Sequence, residues 1–83
     1  MVSTAKPLSN IADGEKVKFV SVQAGRGLKN LLAAMGLVPN AEFVVIKTHR
    51  HGPMILNVKN SRLALGRGMA GKIMVTKCLH HNN

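Results

Sequence analysis

The chain has 83 residues, of which 46% are hydrophobic, and it makes one domain with one modest core, which excludes a two-domain enzyme and argues against disorder. Two Phe, with no Trp and no Tyr, leave that core to aliphatic side chains and Met. Twelve Lys and Arg against Asp13, Glu15 and Glu42 give a net charge of +9, which favours contact with phosphate, acidic lipid or an acidic protein surface.

The first elements in chain order are an arm, a single turn and a strand. Residues 1–7 are small or polar and end in Pro7, which predicts a flexible arm. Leu8 and Ile11 are placed to close one end of the core from one turn, before Asp13-Gly14 reverses the chain. Valines and charges then mix over residues 15–24, the predicted first strand.

A short helix is predicted over residues 27–35, because four apolar residues fall at i, i+3, i+4 and i+7 and share one face. These residues are Leu28, Leu31, Leu32 and Met35. Gly36 stands where a helix most often stops in a left-handed conformation, and Leu37 follows where a Schellman cap makes its apolar contact. Pro39-Asn40 predicts a tight turn, so this corner returns the chain from a helix to a strand with little slack.

The rest of the domain is predicted as short strands separated by turns. The strands are expected at residues 41–49, 54–59, 62–65 and 72–77. About five short strands with one helix inserted after the first make a mainly β fold, a strongly bent sheet or small barrel. The domain is expected to span residues 8–78, with a flexible tail at 79–83.

The order of these signals resembles the FeoA family, over roughly residues 8–77. The resemblance is carried by Leu8 and Ile11 before Asp13-Gly14, Leu31-Leu32 leading into Met35-Gly36-Leu37, Pro39-Asn40, Gly52-Pro53, and a final strand through Ala70, Ile73 and Val75. Two positions depart from the family's pattern. Asn40 stands where the family usually has Gly, and Asn30 or Leu31 stands where many members carry an Arg.

The resemblance implies an SH3-like barrel and a cytoplasmic accessory protein that docks on FeoB, the ferrous iron transporter, and modulates it. A basic rim would also suit the anionic membrane surface. The residues expected to meet the partner surround the helix corner: Arg26, Lys29, Leu32, Met35, Leu37 and Val38. Cys78 cannot form an internal disulfide, which agrees with a reducing compartment.

Three other functions compete with this interpretation. A small basic barrel can bind nucleic acid through phosphate contacts, although the lack of aromatic residues weighs against stacking on single strands. His49 and His51 are two residues apart and could share one metal ion, Fe²⁺ or Zn²⁺, with Cys78 and His80 repeating that spacing. A metal-responsive domain related to repressors is disfavoured, because the chain has no helix-turn-helix.

Catalysis is not expected of this chain. Its three carboxylates are scattered and make no evident pair of acid and base. No Ser or Cys stands in a nucleophile motif. The sequence therefore predicts a protein that is not an enzyme.

Overall fold

The computed structural model describes residues 4–49 and 51–78, which fold into antiparallel strands with two helices. The elements are β1 (Lys6–Pro7), β2 (Lys16–Val22), α1 (Arg26–Ala34), β3 (Glu42–Lys47), β4 (Met54–Val58), β5 (Ser61–Leu65), α2 (Arg67–Ala70) and β6 (Ile73–Lys77). The strands form one sheet in the order β1-β6-β2-β3-β4-β5. This confirms a mainly β, SH3-like fold, with six strands in the described part where about five were predicted.

The predicted arm ends earlier than residue 7. Lys6 and Pro7 form β1, which pairs with β6 through Lys6 with Val75 and Pro7 with Met74. A proline can occupy this place because β1 is an edge strand, where one face of the backbone needs no partner. The other end of the arm and the predicted tail lie outside the described residues.

The single turn after β1 closes one end of the core, as predicted. Leu8 opens a 3₁₀ turn that ends at Asn10, and the Ile11 backbone N–H donates to the Leu8 carbonyl at 3.0 Å. Both side chains are buried. The turn therefore anchors the chain before it reverses at Gly14, whose φ is +84°.

Strand β2 lies in the middle of the sheet, between β6 and β3, and is bent. Its pairing with β6 shifts register between Phe19 and Ser21. Val17, Phe19 and Val22 point into the core, so the inward positions change phase across the bend. A bulge of this kind increases local twist and lets a small sheet wrap around one aliphatic core.

Helix α1 ends in the predicted Schellman cap. The Leu37 backbone N–H donates to the Leu32 carbonyl at 2.9 Å, and the Gly36 N–H donates to the Ala33 carbonyl at 3.0 Å. Gly36 has φ +93°, and the side chains of Leu32 and Leu37 are both buried beneath the cap. The prediction is wrong for one residue of the apolar face: Leu31 was expected to be buried with the others, and it is 53% exposed.

The turn after the cap is tied directly to β2. The Ala41 N–H donates to the Val38 carbonyl at 2.9 Å, and Asn40 has φ +74°, as a type II turn requires at its third position. Phe19 then makes two backbone hydrogen bonds to this turn, accepting from Asn40 at 2.9 Å and donating to Ala41 at 2.8 Å. The helix corner is thus fixed to the bent part of the central strand.

Candidate functional site: a groove at the helix corner

A groove of about 300 Å³ runs between the bent part of β2 and the corner that follows α1. We call it the corner groove. Most of its wall is apolar, and its polar groups come mainly from one turn of α1. It is lined by Phe19, Val20, Ser21, Val22, Lys29, Asn30, Ala33, Leu37, Val38 and Pro39.

Two valines give the corner groove an apolar rim. Val20 and Val38 are each 40% exposed, from opposite walls. Val20 faces outward because it follows the inward Phe19 in the alternation of β2, and the bulge then leaves Ser21 outward as well and returns Val22 to the core. Sequence reasoning missed Val20; the signal available was the change of phase from Val17 and Phe19 to Val22.

The residues predicted to meet a partner take three different places in the structure. Lys29, Leu37 and Val38 all line the corner groove. Leu32 is fully buried and Leu37 is only 2% exposed, so both support the corner from inside. A partner would reach Lys29 and Val38 directly, whereas Leu32 can act on it only by holding the corner in place.

The other two predicted contacts lie away from the groove. Arg26 is exposed at the first residue of α1 and is not part of the lining. Met35 is half-buried on the side of α1 that faces the hairpin of β4 and β5. The structure therefore gathers part of the predicted set at one surface and leaves Arg26 and Met35 outside it.

The three side-chain carboxylates, all within the described residues, are paired with a lysine or hydrogen-bonded, and none of them lies in α1 or in the corner. Glu42 and Glu15 pair with Lys16 and Lys77, each at 3.3 Å. Asp13 accepts from the Thr48 backbone N–H at 2.7 Å and from the Thr48 hydroxyl at 2.9 Å. These two hydrogen bonds lower the pKa of Asp13 below its ordinary value, because they stabilise the ionised carboxylate. The positive side chains of α1, Arg26 and Lys29, are therefore exposed with no carboxylate of the described residues paired to them.

The two histidines proposed as metal ligands are both exposed. The His49 carbonyl accepts a hydrogen bond from Arg67 Nη1 at 2.6 Å, which fixes the backbone there but not the imidazole. Cys78 is half-buried, and burial raises the pKa of its thiol, which disfavours the thiolate that a metal needs. Within residues 4–49 and 51–78, no three His, Cys, Asp or Glu side chains come together in a metal-binding group. His80 is outside the described residues, and a metal held by His49 and His51 stays a prediction.

Neither helix of the described chain is long and apolar enough to span a lipid bilayer.

Comparison with known proteins gives one consistent match. The family model described as "FeoA domain" matches residues 6–77. A protein of Methanocaldococcus jannaschii named "Putative Fe(2+) transport protein A" is 39% identical over 69 residues, which cover 83% of each protein.

Solved structures agree with the sequence comparisons. A crystal structure of an iron uptake regulatory protein (FeoA) is 37% identical and superposes with a TM-score of 0.84, covering 90% of this chain and 100% of that one. A manganese-dependent transcriptional repressor superposes with a TM-score of 0.80 at 18% identity, covering 94% of this chain and 44% of the repressor. At that identity the second likeness shows the fold alone.

Proposed function

Because the chain belongs to the FeoA domain family, which serves ferrous iron transport, we propose that it is a cytosolic accessory protein that docks on a FeoB-type transporter. It would modulate the transporter through a protein–protein interface and catalyse no reaction itself. The observation that supports docking best is the corner groove, with Val20 and Val38 exposed on its two walls.

The corner groove has the properties of a small interface hot spot. Such sites are well-packed pockets that receive an apolar anchor and exclude water around it. Phe19 and Leu37 provide a buried floor, while Val20 and Val38 would lose exposed apolar surface when an anchor enters. The two hydrogen bonds between Phe19 and the corner hold the walls at a fixed spacing, so little ordering is needed on binding.

Positive charge near the groove would guide the partner. Lys29 lines the groove and Arg26 lies one helical turn earlier, while the described side-chain carboxylates are paired or hydrogen-bonded elsewhere. Charges at the rim of an interface mainly accelerate association and set its orientation. An acidic patch of the transporter, or the anionic leaflet around it, would supply the complementary field.

The proposal is tested by NMR titration of the labelled protein with the soluble cytosolic GTPase region of the cognate transporter, at two salt concentrations. We expect shifts at Val20, Lys29 and Val38 that persist at the higher salt concentration, because the apolar part of the contact is not screened. Absence of any shift there would reject docking of that region on the corner groove.

A pair of variants separates loss of docking from loss of folding. Val38→Asp places a charge in the apolar rim, and we expect it to weaken binding about tenfold or more, since the charge would be buried without a partner. Val38 is 40% exposed and contributes its backbone carbonyl, not its side chain, to the hydrogen bond of the turn, so the fold should persist. Ala12→Asp adds the same charge at an exposed position outside the groove and should bind as the unchanged protein does.

A further inference from the structure

Strand β5 is a free edge of the sheet. The order β1-β6-β2-β3-β4-β5 leaves β1 and β5 at its two ends. Strand β1 has only two residues, one of them Pro7, and so offers little to an incoming strand. Strand β5 has five residues without proline, paired to β4 in continuous register without a bulge. It is the regular, open edge among the described strands.

The register shows which backbone groups of β5 point away from the sheet. Val58 and Ser61 pair across a two-residue turn, whose residues Lys59 and Asn60 have φ of +52° and +65°. In such a hairpin the pair that closes the turn exchanges hydrogen bonds, and every second pair after it does the same. The N–H and C=O groups of Arg62 and Ala64 therefore face outward.

A second depression, of about 400 Å³, lies beside this edge, between the hairpin of β4 and β5 and the last turn of α1. We call it the edge cleft. It is lined by Ala33, Ala34, Met35, Gly36, Val58, Lys59, Ser61, Arg62 and Leu63. A strand added next to β5 would direct alternate side chains toward the face of Ser61 and Leu63, into this cleft, and the others toward the face of Arg62 and Ala64, with the Arg62 side chain at the rim of the cleft.

The charges around the edge cleft indicate the kind of occupant. Lys59 and Arg62 line it, and the chain has no carboxylate between Glu42 and its last residue. Opposite charges on neighbouring strands stabilise pairing, whereas like charges oppose it. A second copy of this chain would bring its own charge of +9 to the contact. The cleft therefore favours an acidic segment over a second copy.

We propose that β5 binds an extended acidic segment of another protein as an added antiparallel strand, with apolar side chains of that segment in the edge cleft. The backbone groups of Arg62 and Ala64 provide the hydrogen bonds, and Lys59 and Arg62 select acidic residues. The linings of the edge cleft and the corner groove share only Ala33, and the proposal for β5 holds whether or not the corner groove binds the transporter.

The probe is a capped hexapeptide that alternates Glu and Val, added to the labelled full chain and followed by NMR and amide hydrogen exchange. In the free protein we expect the Arg62 and Ala64 amides to exchange fast and those of Leu63 and Leu65 slowly. On saturation with the peptide, we expect exchange at Arg62 and Ala64 to slow about tenfold or more. The same peptide with Lys in place of Glu should not bind.

Methylation of the peptide backbone tests strand addition without altering the protein. In antiparallel pairing the residues opposite Arg62 and Ala64 exchange hydrogen bonds with them and share their face. These are the Glu residues of the probe. We therefore expect N-methylation of the three Glu residues to abolish binding and N-methylation of the three Val residues to leave the backbone contact available.

Two protein variants complete the test. Ala64→Pro removes an outward N–H that forms no hydrogen bond within the sheet, and Arg62→Glu reverses the charge at the edge. Each variant should weaken peptide binding about tenfold. Lys47→Glu reverses a charge at an exposed position outside the cleft and should leave peptide binding unchanged. No change at Arg62 and Ala64 with millimolar peptide, or equal binding of the Lys peptide, would overturn the proposal. Protection that depends on protein concentration, with a dimer in sedimentation velocity, would assign the edge to a second copy instead.

Discussion

Gly36 shows how a single residue controls the groove. Its φ of +93° is strained for any residue with a Cβ, and an added Cβ would lie 3.2 Å from Val58 Cγ1. Two separate effects therefore oppose substitution, one in the backbone and one in the packing. Because the Schellman cap fixes the direction of Leu37 and Val38, a change at Gly36 would reach the rim of the corner groove.

We expect Gly36→Ala to lower the free energy of unfolding by about 1–2 kcal/mol, the usual cost of a left-handed conformation, with the contact to Val58 adding to it. Gly27→Ala is the matched control, because Gly27 lies in α1 with open space around its would-be Cβ. It should raise stability by about 0.5–1 kcal/mol. Urea denaturation measures both, and equal effects of the two changes would contradict this account of the cap.

The hydrogen bonds from Thr48 to Asp13 make a prediction about pH. The pKa of Asp13 is lowered from its ordinary 3.8 by the Thr48 hydroxyl first and the Thr48 N–H second. A lowered pKa means that the carboxylate contributes stability above pH 3.8, and that this contribution is lost as pH falls through the lowered value. Asp13→Asn should therefore be less stable than the unchanged protein at pH 7, and the two should converge in strong acid. A difference in stability between the two proteins that stays constant with pH would show that it does not come from the lowered pKa of Asp13.

The predicted pairing of His49 and His51 around a metal ion is tested by calorimetry with Zn²⁺. If these residues hold the ion, replacing both by Ala should lower the affinity for zinc. Replacing His80 and His81 by Ala removes the same number of imidazoles, and a loss of zinc affinity in that variant alone would place the ion at the Cys78 and His80 pair instead. Unchanged affinity in the first variant would reject the site.

At the scale of elements, the sequence was most informative where one residue type is nearly obligatory. Gly36 and Asn40 marked positive φ, and both positions have it. Periodicity was less reliable, since Leu31 satisfies the helical spacing yet lies outside the narrow strip that the sheet can cover. The pairing of Lys6 and Pro7 with β6 and the exact place of the bulge in β2 depend on contacts with distant strands, which local pattern does not contain.

The hairpin of β4 and β5 uses a turn that a better sequence would stabilise. Both turn residues have positive φ, the type I′ pattern that favours Asn-Gly, yet Lys stands at the first position. Changing Lys59 to Asn and Asn60 to Gly together should raise stability by roughly 0.5–1 kcal/mol. Asn60→Ala should lower it, and urea denaturation distinguishes the two directions. A gain from Asn60→Ala would mean that the turn has another conformation in solution.

At the scale of the whole molecule, the excess of positive charge acts on both stability and binding. Like charges repel in the folded state, and this repulsion is screened by salt. Raising ionic strength from about 0.01 M to about 0.15 M shortens the Debye length from about 30 Å to about 8 Å and should increase the free energy of unfolding. A decrease would show that the ion pairs of Glu15 and Glu42 outweigh the repulsion.

Salt also separates the proposed function from nucleic-acid binding. Contacts to phosphate predict an affinity for duplex DNA that falls steeply with salt and hardly depends on sequence. Docking through Val20 and Val38 should weaken much less over the same range, because its apolar part is not screened. Fluorescence anisotropy with labelled duplexes makes the comparison. Tight, salt-insensitive transporter binding with negligible DNA binding would remove the alternative.

The pairing of β2 with β6 determines when the corner groove can exist. Phe19 pairs with Val75 and Val17 with Lys77, so nearly the whole described chain must be in place before the central strand is flanked on both sides. Ile73 and Val75 are fully buried, and no local segment can replace them. Such long-range contacts slow folding and make it depend on late segments. During synthesis on the ribosome, the groove would therefore form only after residue 77 emerges, and a partner would meet either the finished binding surface or none.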